Sequence, residues 1–257
     1  MIFAACVGFP GRGADALLET HQRLCEEGEL VETGGYQYLR WEVGERVELW
    51  ADVKDGKPEM IFKTFYAGEA RMKVALIEKT PRRDEMISDG AFLCRGRACE
   101  GAGWVAGRNP FIFDAVDFHR YDSLSLPRVG TIQLTAFSFS MTGFEDEGAY
   151  EKAYPANDEG YGWGYKHFIP ALIYDRQRGE GGELQSAHAE VSGYVNDTDI
   201  ITNTATGRDF SWARLHTIGG EVDVVCSLDR LGGYLVKGGL AVSRCYLYGR
   251  PVPDDSN

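Results

Sequence analysis

Apolar and polar residues alternate along this chain with two different periods. In "ADALLETHQRLCEEGEL", residues Leu17, Leu18, His21, Leu24 and Cys25 recur at helical spacing, and Glu19, Gln22, Arg23 and Glu26 fall off that stripe. The pattern predicts an amphipathic helix, with Asp15 as a first-turn acid and Gly28 as its stop. From Tyr36 the period drops to two. "YQYLRWEV", "RVELWADV", "EMIFKTFYAG" and "ARMKVALIEK" are rich in aromatic and β-branched residues and predict strands. Turns are expected at Gly44-Glu45, Asp55-Gly56 and Gly68. Asp55-Gly56 is the sharpest, because both central residues of a type I′ hairpin turn need positive φ.

The short apolar run "MIFAACV" predicts a buried strand, and "GFPGRG" a turn after it. Further on, "AFLCRGRA", "FIFDAVDFHRYDSL" and "TIQLTAFSFSM" predict strands, while "TPRRDEMISDG" and "GAGWVAGRNP" interrupt them. "FEDEGAYEKAYPANDEGYGWGY" is acidic and aromatic, with room for a turn or two of helix before Pro155. It is expected to be a linker or lid. Order resumes at "KHFIPALIYD", and the polar, glycine-rich "RQRGEGGELQS" is the expected domain boundary. This division gives a β-rich N-terminal region with one helix over residues 1–180, and a second unit over 187–252. No short internal repeat is visible.

In the second unit, "AHAEVSGYV" sets Ala187, Ala189, Val191, Gly193 and Val195 on one face, with Gly193 suited to a bend. "DFSWARLHT" carries Phe210 and Trp212 on one face and Leu215 on the other, which predicts a bulge near Ala213. "EVDVVCS" alternates, so Val222, Val224 and Cys226 are expected inside and Glu221 and Asp223 outside. "LVKGGLAVSRCYLYGR" completes the set. These segments resemble the OB-fold, a five-stranded Greek-key barrel; the close "VKGGLAVSRCYLYGR" is similar to that of OB barrels beside tRNA synthetase cores. The rest, including "YLRWEVGERVELWADV", resembles uncharacterised bacterial proteins with such a barrel at the C-terminus. The resemblance implies a mostly β (α+β) fold. It also implies a binding face on the second and third strands, where Trp212, Phe210, Tyr194 and Arg214 are the candidate residues.

Composition narrows the partners. With 44% apolar and 12% aromatic residues in 257, the chain has ample material for a core. The 32 glycines favour many turns over long helices. The net charge of −12 opposes binding to phosphate backbones. Within 187–250 six Lys and Arg face seven Asp and Glu, so the field an oligonucleotide needs is missing and no nucleic-acid partner is expected. The apolar start lacks a basic leader and is too short to span a bilayer. A cytoplasmic location with no membrane partner is therefore expected. The six cysteines show no C-x-x-C pair, so they are expected as free thiols.

Candidate chemistry is sparse. "VGFPGRGAD" joins a predicted strand to a helix, but Pro10 takes the middle position of a G-x-G-x-x-G loop, so a plain turn is expected. "FDAVDFHRYD" is the densest polar stretch: on a strand Asp117 and His119 share a face, with Asp114 opposite, and His167 or His188 is available as a further metal ligand. No G-x-S-x-G elbow occurs. The leading expectation is a non-enzymatic binding protein of the bacterial cytoplasm whose partner is another protein, with no cofactor. The alternatives are a metal-dependent or small-molecule enzyme using Asp117 and His119, and an oligonucleotide-binding OB protein.

Overall fold

A computed structural model describes residues 3–11, 13–44, 46–81, 89–97, 106–156, 164–171 and 186–253. Among them the chain forms fourteen strands, two α-helices and three short 3-10 helices. The mostly β expectation holds.

The N-terminal apolar run is not a strand. Ala4–Val7 forms a 3-10 helix, η1. Phe3, Ala4, Cys6 and Val7 are all buried and Ala5 is half-buried, so these residues do not alternate. Helix α1 (Ala14–Glu27) follows as the period predicts. Its buried stripe is narrower, since Leu24 and Thr20 are inside while Leu18 and Cys25 are exposed. Gly28 ends it for want of room: a Cβ there would lie 2.5 Å from the Leu24 carbonyl and 2.9 Å from Leu39.

Strands β1 (Glu29–Thr33), β2 (Tyr36–Val43), β3 (Val47–Lys54) and β4 (Lys57–Tyr66) form one antiparallel sheet in that order. Asp55 (φ 51°) and Gly56 (φ 72°) turn β3 into β4 as the sequence predicts. One sheet face carries Leu39, Trp41, Val47 and Leu49. The other carries Tyr38, Arg40, Glu48, Trp50, Asp52, Lys63 and Phe65, and much of this alternating polar face is buried as well.

The remaining strands make the larger sheet. They are β5 (Met72–Pro81), β6 (Gly90–Arg97), β7 (Ala106–Ala115), β8 (Arg128–Phe144), β9 (His167–Pro170), β10 (His188–Thr202), β11 (Asp209–His216), β12 (Glu221–Ser227), β13 (Leu231–Gly233) and β14 (Leu240–Val252). Strands β8 and β14 run antiparallel along almost their whole length, from Leu240↔Phe144 to Val252↔Thr131. Two rings of five strands share this ladder. One is β10–β11–β12–β8–β14 and back to β10, with β12 parallel to β8. The other is β5–β6–β7–β14–β8 and back to β5, with β7 parallel to β14.

The halves therefore repeat a plan at a length no short-period search detects. Each has a three-strand meander, a 3-10 turn (η2, Phe118–Tyr121; η3, Leu228–Arg230), and a long strand that crosses into the other ring. In both, the first strand is irregular where it leaves its neighbour, between Leu76 and Glu78 and between Val195 and Asp197. The bulge expected near Ala213 thus falls on β10, and β11 stays in continuous register with β12. Strand β8 lies on the N-terminal side of the boundary expected before residue 187, yet it closes the C-terminal ring. The "RQRGEGGELQS" boundary itself lies almost wholly outside the described residues.

Candidate functional site

The polar strand face of the first sheet is not solvated. Lys63, 1% exposed at its side chain, donates to Asp52 Oδ2 at 2.8 Å and to Asp89 Oδ1 at 2.6 Å. Tyr38 donates to Asp89 Oδ2 at 3.2 Å and accepts from the His119 amide. Burial raises the Asp52 carboxyl, and Lys63 pulls it back only in part while Asp89 pushes it further. One strand register away, Glu48 accepts from Arg40, from Arg250 at 2.6 Å and from Trp50 Nε1 at 2.7 Å. Burial alone would raise its carboxyl, but Arg250 and Arg40 outweigh burial and hold it below the ordinary range. This layer locks the four-stranded sheet to β14, because Arg250 also stacks on Phe65 with its guanidinium carbon 4.0 Å from the ring centre.

Asp117 and His119 take different partners. The residues lie at the start of η2 and not on a strand, so their side chains diverge. Asp117 is buried and accepts from Arg120 at 3.2 Å and Tyr121 at 3.3 Å. His119 stacks flat on Tyr36, ring centres 3.4 Å apart, and its Nδ1 meets Asp122. Asp114, on β7, is buried and accepts from the Tyr246 hydroxyl at 2.6 Å. His167 meets Glu190, and His188 meets Ser186. Among the described residues no three His, Cys, Asp or Glu side chains come together as a metal site.

The four barrel candidates separate. Phe210 is fully buried behind Tyr66, with ring centres 6.2 Å apart. Trp212 is 6% exposed, and its Nε1 donates to Asp223 at 2.8 Å. Neither ring is presented for stacking on bases. Tyr194 sits elsewhere, packed with Leu240, Val242 and Tyr150 and bonded to Glu147 on α2 (Glu147–Ala153). Arg214 stays beside Trp212, tied to Glu69 at 3.1 Å and near Asp197 and Glu221. Asp223, expected outside, is buried. A second layer covers β12: the Ala70 amide donates to its carboxylate, and a Cβ on Gly68 would lie 2.1 Å from it. Burial raises the Asp223 carboxyl despite the Ala70 and Trp212 N–H groups.

Trp212 borders a cleft of about 510 Å³ between the two sheets. Val43, Val47, Tyr66 and Arg46 form one wall; Asp197, Asp199, Ile200, Ile201 and Thr202 form the other, and the exposed Thr204 of the lining lies against Gly44. The Arg46 guanidinium lies 5.6 Å over the indole and is held by Glu69 at 2.7 Å. Burial raises the Tyr66 phenol against the pull of Arg46 beside it, and the hydroxyl makes no well-formed hydrogen bond. The volume is that of a binding cleft, and the lining is mixed, with aliphatic and aromatic side chains beside Arg46, Glu69, Asp197, Asp199 and two threonines. Sequence reading missed Arg46, Tyr66 and the β10 aspartates, because only the meeting of two sheets makes them neighbours.

No protein-family model matches this chain, and neither do the curated proteins or the solved structures compared with it. No helix among the described residues is long and apolar enough to cross a membrane.

Proposed function

We propose that this chain is a non-catalytic binding protein, and that the cleft at Trp212 recognises a segment of a partner protein. The observation that carries the reading is the cleft itself: about 510 Å³, lined by Trp212, Tyr66 and aliphatic side chains, with carboxylates at its border. Trp212 and Tyr66 are nearly buried, and Ile200, 51% exposed, is the apolar side chain most open to a guest. Glu69 is taken up by Arg46 and Arg214, which leaves Asp197 and Asp199 on the opposite wall, on a chain of net charge −12, for a basic segment to complement. An OB-like reading of the C-terminal ring supports a binding role. The neighbour order β10–β11–β12–β8–β14 supports that reading, with β8 taken as the closing strand although it precedes the other four in the chain. Trp212 then stands on the second strand, where such barrels bind.

A photo-crosslinking residue in place of Ile200, at the cleft wall, tests this. Cytosolic extract should yield a discrete protein adduct that disappears when Thr204→Trp plugs the cleft. An adduct pattern indifferent to the plug, or no adduct, would sink the reading.

A further inference from the structure

The cleft runs along a strand edge. Strand β10 pairs with β14 from His188 to Tyr194, and with β11 from Tyr194 to Thr202. Tyr194 faces both partners, so they lie on opposite sides of β10. On the β14 side the last contacts are those of Val195 with Gly238 and Gly239. From Asp197 to Thr202, no described residue pairs with that edge.

Two hydrogen bonds mark which backbone groups face it. The Thr198 amide donates to Asp197 Oδ1 at 3.2 Å, and the Ile200 amide to Asp199 Oδ1 at 2.8 Å. Alternate amides of a strand point to the same side. Each carboxylate thus occupies a place where the carbonyl of a neighbouring strand would bind. Side chains from both faces of β10 border the cleft, Asp199 and Ile201 from one and Ile200 and Thr202 from the other, as along an edge. Ile200 is 51% exposed there.

We propose that this edge accepts an extended basic segment of a partner protein as an added strand, resting on the reading of the cleft as the recognition site. In the free protein the aspartates cover the amides and discourage self-pairing, as charges on edge strands do. An incoming strand replaces them with its carbonyls, and the released carboxylates meet its side chains. Asp197 and Asp199 are two residues apart, about 7 Å along a strand. Lysines at alternate positions of the guest match that spacing, while main-chain bonds supply affinity.

The test uses a fluorescent peptide of alternating lysine and valine, about six residues long, an ordinary strand length. Its anisotropy with the full chain should report binding that Thr204→Trp abolishes. A peptide alternating glutamate and valine should not bind. N-methylation of alternate amides on the edge-facing side of the lysine–valine peptide should weaken binding roughly tenfold. Ile200→Pro, which removes one receiving amide, should weaken it similarly. If the N-methylated peptide binds as well as the parent, strand addition is wrong and the cleft reading stands. If the lysine–valine peptide fails to bind, or binds regardless of the plug, both are overturned.

Discussion

Three donors converge on the carboxylate of Glu48, from Arg40, Arg250 and Trp50. Glu48→Gln leaves two guanidinium groups facing a neutral amide in a site with little water. Breaking a buried pair of this kind costs about 3–5 kcal/mol, and urea unfolding at neutral pH should show a loss of that order. The sign of its pH dependence follows from the depressed carboxyl. Its stabilisation is complete above the unfolded value and is lost as pH falls through the folded one. The wild-type advantage over Glu48→Gln should therefore shrink on acidification. An advantage constant down to about pH 3, below the ordinary glutamate value, would show that Glu48 does not act through its charge.

The thiols give a second test at this scale. Cys6, Cys94, Cys226 and Cys245 are buried and free, and Cys25 is free and exposed. Burial pushes Cys6 to about 12 and Cys226 to about 11, and raises Cys94 and Cys245 strongly. The thiolate is the reactive form. Iodoacetamide on the native protein should label Cys25 first among these five, and the other four only after unfolding. Rapid native labelling of Cys94, read by peptide mass spectrometry, would contradict the packing. The expectation of free thiols thus extends to five cysteines, and Cys99 lies outside the described residues.

Elements are where the period of the sequence was most legible, because a period of two or near four is written by one buried face. Strands β2 to β5 and helix α1 lie where alternation places them. The pattern misled where both faces are buried. At Asp223 and at Lys63 a polar residue alternates with apolar ones, as on a solvated strand, yet a second layer covers it. Gly193 was legible as a bend, and its reason is steric: a Cβ would lie 2.3 Å from the His216 carbonyl oxygen. Gly193→Ala should destabilise the protein by about 2–3 kcal/mol, the upper range for point changes. Gly96→Ala, where among the described residues a Cβ meets nothing nearer than 4.0 Å, should change stability by less than about 0.5 kcal/mol. Equal thermal shifts for the two variants would refute the close approach of Gly193 to the His216 backbone.

At the scale of the whole molecule, the shared β8–β14 ladder makes each ring depend on a strand from the other half. Residues 187–252 alone lack β8, so β12 and β14 would each expose an unpaired edge along the core. That fragment should give an unfolded circular dichroism spectrum and collapsed amide dispersion in NMR. A dispersed spectrum would show that the C-terminal ring closes without β8.

The sequence by itself determined the mostly β class, the first helix, the Asp55-Gly56 hairpin and the strands of the C-terminal meander, since these follow from local periods and backbone preferences. It also placed Phe210 and Trp212 on one face of β11, and both are buried there. Tertiary structure alone decided that Phe210 turns inward, that Asp117 and His119 diverge, and that Asp223 is covered. It alone brought Arg46, Tyr66 and the edge of β10 around one cleft. The burial of Phe210 and Asp223 depends on contacts between residues over a hundred positions apart, with Tyr66 and Ala70, and no local pattern encodes which second layer will cover a strand.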